Sequence, residues 1–90
     1  MVEIRKREKP LTLFKLFAKS KGLRLVTFSG IGYKLKNGFF KVLIHEIYFF
    51  DDWVSFEIQD EKPLKLIKEF EDRTKIRCVV DVNPSEEIIM

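Results

Sequence analysis

Residues 8–17 read EKPLTLFKLF and residues 61–70 read EKPLKLIKEF, so one ten-residue pattern recurs at an offset of 53. Carried ungapped from Glu8/Glu61 to Ser29/Val82, the two copies agree at nine of 22 positions: Glu8, Lys9, Pro10, Leu11, Leu13, Lys15, Phe17, Arg24 and Val26. The pairs Phe14/Ile67, Leu23/Ile76 and Leu25/Cys78 are apolar on both sides. A repeat of this length constrains architecture before any local reading is made, because each copy must build the same supersecondary unit.

Each copy reads as helix then strand. Proline suits a first helical turn, where its missing N–H is not needed. In the first copy Leu13, Phe14, Phe17 and Ala18 fall opposite a stripe of Thr12, Lys15 and Lys19, and Gly22 provides a left-handed stop. In the second, Asp60 stands where a helix N-cap would, and Leu64, Leu66, Ile67 and Phe70 oppose Lys65, Lys68, Glu69 and Asp72. The strands that follow, 23–29 and 76–82, alternate in character, and further alternation at 2–7 and 54–59 places a strand before each helix. Two strand–helix–strand units in one chain predict an α+β fold, the ferredoxin-like βαββαβ sandwich. Its expected layout is unit 1 over about 2–29, an aromatic β-hairpin inserted over about 31–50, unit 2 over about 53–82, and a tail at 83–90. The runner-up is an α+β meander with the first strand outside the sheet.

Asn37-Gly38 predicts the hairpin turn. Strict alternation along the return strand, Phe39 to about Phe49, puts Leu43, His45, Ile47 and Phe49 on one face and Val42, Ile44, Glu46, Tyr48 and Phe50 on the other, apolar on both sides. Seven of the twelve aromatics lie here: Tyr33, Phe39, Phe40, Tyr48, Phe49, Phe50 and Trp53. Exposed apolar surface of that extent marks an interface, and a self-complementary homodimer is the commonest solution. The expected function is therefore that of a small non-enzymatic interaction module, associating through this hairpin or the open sheet face.

Ninety residues suffice for one domain with a modest core. The single Cys78 excludes a disulfide framework within one chain, and no stretch is apolar enough for a signal peptide or a membrane span, so a cytoplasmic location is expected. Abundant Lys, Glu, Ile and Val with few Asn and Gln resemble thermophile usage. The net charge of +3 is polarised: residues 1–45 carry eleven Lys/Arg against two acids, and residues 46–90 six against twelve. The basic half motivates an alternative function, nucleic-acid binding through phosphate contacts from Arg5, Lys6, Arg7, Lys9, Lys15 and Lys19.

No catalytic, cofactor or metal motif stands out. Glu3, Arg24, Glu57 and Arg77 are expected on the open sheet face, as ion pairs rather than an acid–base site. His45 and Glu46 point to opposite sides of a strand, and Asp51-Asp52 has turn chemistry, so neither reads as a metal site. Asp52 with Glu57 lacks the lysine of a restriction-type nuclease pattern, since Gln59 occupies its place. In KNGFFKVLI, Lys41 stands where an RNA-recognition module would carry its second exposed aromatic, so base stacking is not expected. Cys78 reads as a small buried hydrophobe.

Overall fold

Both repeated prolines open helices in the computed structural model, which describes residues 9–28 and 30–83. Pro10 is the first residue of α1 (Pro10–Ser20), and Pro63 immediately precedes α2 (Leu64–Thr74). Asp60 does not cap α2: its Oδ1 accepts from the Lys62 N–H at 2.8 Å, closing a local turn one step before the helix. Gly22 ends α1 at φ +71°, with its N–H on the Lys19 carbonyl and that of Leu23 on Ala18, a Schellman arrangement. The same left-handed position after α2 is taken by Lys75 at φ +64°.

Among the described residues five strands follow the chain in order across one mixed sheet: β1 (Arg24–Phe28), β2 (Gly32–Asn37), β3 (Lys41–Phe49), β4 (Trp53–Ile58) and β5 (Arg77–Val82). β1 to β4 form an antiparallel meander, and α2 carries the chain back so that β5 lies parallel to β4. The repeat is visible as equivalent elements: α1–β1 and α2–β5 occupy opposite edges, their strands run in opposite directions, and Arg24 and Arg77 each begin one. A twofold rotation about the sheet normal would place them so.

This architecture corrects the expected one. The sheet is not a four-stranded antiparallel array with an inserted hairpin. β2 and β3 are interior strands of it, and β4 and β5 are direct neighbours. The misreading has a physical origin in β3. Tyr33 faces Ile47 and Leu35 faces Ile44, so two residues of β2 span three of β3, and a second shift follows at Lys36 and Val42. Such bulges reset the alternation. Ile44 and Ile47, an odd number of residues apart, both point to the helices and are fully buried. The strand that strict alternation makes apolar on both sides is therefore amphipathic. At its start, only Gly38 has positive φ, and three residues rather than two connect Asn37 to Lys41, so the turn is not the expected Asn-Gly type. The expected strand at 2–7 and the tail beyond residue 83 lie outside the described residues.

Both helices cover one face of the sheet. Phe14 is at the centre, with its ring centroid 4.9 Å from Phe70, 5.6 Å from Phe56, and 5.8 Å from both Phe17 and Phe49. Leu35, Ile44, Ile47, Val54, Phe56 and Ile58 supply the sheet side and Ile67 and Phe70 the second helix. The repeat equivalents Phe14/Ile67 and Phe17/Phe70 all enter this core. Roughly 1.5–3 kcal/mol of transfer free energy attends each such burial, which is what binds the helices to the sheet.

Candidate interaction surface

Alternation along each strand, read through the register, assigns the side chains of the face away from the helices. Arg24, Val26 and Phe28 of β1 stand beside Lys36, Lys34 and Gly32 of β2. Glu46 of β3, Glu57 of β4 and Asp81 of β5 are direct cross-strand partners in one row, and Tyr48, Ser55 and Val79 form the next. No described element covers this face. Its charges are largely segregated: Arg24, Lys34 and Lys36 lie on β1 and β2, whereas Glu46, Glu57 and Asp81 lie on β3 to β5, where Arg77 at the start of β5 is the exception.

Aromatic side chains join the two halves. The Lys34 ammonium sits 5.5 Å from the Phe28 ring centroid, and Phe28 meets Tyr48 edge-on at 6.5 Å. Gly32 makes this possible, since a Cβ there would lie 2.8 Å from Phe28 Cε2 and Cζ and 3.0 Å from Tyr48 Cε1. The Tyr48 hydroxyl donates to Glu46 Oε1 at 2.8 Å. That bond, with desolvation and the charges of Glu46 and Glu57 behind it, raises the tyrosine pKa. Asn83 donates to the Glu57 carboxylate. Each acid in the row stands next to another with no cation between them among the described residues, so the row repels itself and would gain from a positive surface laid over it.

The seven aromatics expected to form one interface are divided among four places. Tyr33 and Phe49 face the helices and stack edge-on at 5.2 Å. Tyr48 is on the open face. Phe39 and Phe40 form the exposed tip of the β2–β3 turn, 77% and 91% accessible, with Arg24 lying over Phe39. Phe50 and Trp53 stack at 4.3 Å across the β3–β4 turn, at the opposite end of the sheet. The alternative set is placed in part: Lys9, Lys15 and Lys19 are exposed on or beside α1, whereas Arg5, Lys6 and Arg7 lie outside the described residues.

Arg24, Glu57 and Arg77 share the open face, but Arg77 is level with Trp53 rather than with Glu57; Glu3 lies outside the described residues. Glu46 belongs to the acidic row, apart from the Asp51-Asp52 bend. Among the described residues no three His, Cys, Asp or Glu side chains are gathered as a metal would require, and no helix is long and apolar enough to cross a membrane. Cys78 faces the helices, half-buried, and burial with the nearby Glu71 charge pushes its pKa up to about 12. Lys34, Lys36 and Asp81 went unnoticed as site residues. Their signal was the charge asymmetry itself, which acquires a direction only once the strand order is known.

No protein-family model, curated protein or solved structure matches this chain.

Proposed function

We propose that the chain is an interaction module that pairs with a second copy of itself through the open sheet face. The observation that carries this reading is the separation of Arg24, Lys34 and Lys36 from Glu46, Glu57 and Asp81, with Arg77 the exception, on a surface that no described element covers. Turning a second copy about a twofold axis parallel to the strands and passing over β3 lays β1 and β2 of one copy on β4 and β5 of the other. The basic strands of each copy then lie over the acidic strands of the other, with Lys34 near the level of the acidic row, and the symmetry makes this contact twice, as closed dimers do. An internal duplication of the helix–strand unit would account for the similar edges of such a face.

Five strands about 4.8 Å apart, each roughly 20 Å long, offer a footprint that buries on the order of 1,000 Å² in a pair. That is the lower limit for a specific interface, so the dimer is expected to be a reversible one. Much of its attraction is electrostatic, and salt weakens it, since charges are screened over about 8 Å at physiological ionic strength.

Complementary charge variants test the arrangement. In sedimentation velocity, Lys34→Glu/Lys36→Glu and Glu46→Lys/Glu57→Lys should each be monomeric alone, and an equimolar mixture should restore a dimer. A mixture that stays monomeric, or single variants that pair as well as the parent, would refute the contact. A second reading rests on α1, whose exposed stripe carries Lys15 and Lys19, with Lys9 beside it and no acid in the helix. Binding of nucleic acid there should appear in a mobility shift that fades with salt and with Lys15→Glu/Lys19→Glu.

A further inference from the structure

At the end of the domain away from the Phe50–Trp53 stack, the pairing of β3 with β4 stops at Glu46 and Glu57. β3 begins five residues earlier, at Lys41, and its first residues have β2 on one edge and no described strand on the other. The chain leaving β4 turns aside at Asp60 instead of continuing the sheet. A groove of about 430 Å³ remains between the α1–β1 turn, the start of β3 and the approach to α2. Its apolar lining is Leu23, Val42, Leu43, Pro63 and Leu66, and its charged lining is Lys21, Lys41, Lys62 and Asp60.

The charges are unequally committed. Lys21 is held by Glu69, both carboxylate oxygens at 2.8 Å, and Asp60 already accepts from the Lys62 N–H. Lys41 and Lys62 have no acidic partner among the described residues. Two uncommitted ammonium groups thus stand beside half-buried leucines whose remaining surface is open to water. The volume falls in the range of small-molecule sites, and a few directed polar groups over an apolar wall are their usual composition.

We propose that this groove binds a small amphipathic anion, its head between Lys41 and Lys62 and its aliphatic body along Leu23, Leu43 and Leu66. The site lies on the helix side of the sheet and is independent of self-association. Charge sets the sign of the ligand's head, and the leucine floor sets its apolar body.

Decanoate is a suitable probe, titrated into the full chain by calorimetry with methyl NMR to locate it. One saturable site is expected, with shifts at Leu23, Leu43 and Leu66 and an affinity up to about fifteenfold above that of octanoate, as two further buried methylenes imply. Decanol and decylamine, equal in length but neutral and cationic, should bind at least about tenfold more weakly. Lys41→Glu/Lys62→Glu should lose about tenfold toward decanoate while keeping the parent melting temperature, both lysines being on the surface. Leu43→Asn should weaken decanoate and decanol alike. Equal binding of decanol and decanoate, or shifts spread over the open sheet face, would overturn the proposal. So would binding seen only after Glu86→Lys/Glu87→Lys, which would make the chain's own acidic segment the occupant.

Discussion

Replacing Gly32 by alanine should reverse its effect on stability depending on what stands at position 28. The added methyl would sit 2.8 Å from two carbons of the Phe28 ring and 3.0 Å from Tyr48, against about 3.5–4.0 Å for relaxed carbon contacts. Phe28 must swing away. It then loses its edge-on contact with Tyr48, about 0.5–1.5 kcal/mol, and the Lys34 ammonium over its face, about 0.5–1 kcal/mol. Alanine recovers about 0.5–1 kcal/mol by restricting the unfolded chain. The parent should therefore be destabilised by about 1 kcal/mol, whereas with Phe28→Ala already present the same change should stabilise by a few tenths to 1 kcal/mol. Urea denaturation followed by circular dichroism, at low protein concentration and high salt to keep copies apart, measures all four corners of the cycle. A coupling below about 0.5 kcal/mol, with Gly32→Ala acting alike in both backgrounds, would show that the rings do not close over the glycine.

Phe14→Ala should cost about 3–5 kcal/mol in the same assay, because a fully buried ring with four aromatic neighbours leaves a cavity that they cannot fill. Lys75→Gly should stabilise by about 0.5–1 kcal/mol, since φ +64° carries a side-chain penalty that glycine lacks; a loss would mean that the lysine is needed for more than the turn. With its pKa raised to about 12, Cys78 should alkylate at pH 8 about a thousandfold more slowly than a thiol at the ordinary value of 9.0, and at the ordinary rate in denaturant. The same shift favours the neutral thiol in the folded chain. Its contribution to stability is intact below about pH 9 and lost as pH climbs toward 12, a decline that Cys78→Ala should remove.

Local signals carried the elements well and the sheet poorly. Pro10, Pro63 and Gly22 mark helix boundaries by chemistry that acts within a few residues, and Val54, Phe56 and Ile58 declare a strand with one buried side. Lys75 could not be foreseen in its left-handed conformation, because nothing in a lysine asks for it. The bulges in β3 defeated the alternation on which strand faces depend, and with them went the position of β2 and β3 in the sheet. The acidic row was equally hidden. Glu46, Glu57 and Asp81 are 11 and 24 residues apart in sequence, and only the register of three strands puts them side by side.

Because strand order follows chain order, the first four strands need only short loops to close. Three residues separate β1 from β2, β2 from β3 and β3 from β4, so each pairing adds to the one before with little entropy lost. β5 is different. Eighteen residues intervene after Ile58, and they must form α2 and find Phe14 before a parallel ladder can be laid down. The meander can zip locally in microseconds, while the last strand waits on the assembly of the aromatic centre. Sequence separation thus divides one small domain into a part that folds by proximity and a part that folds by search.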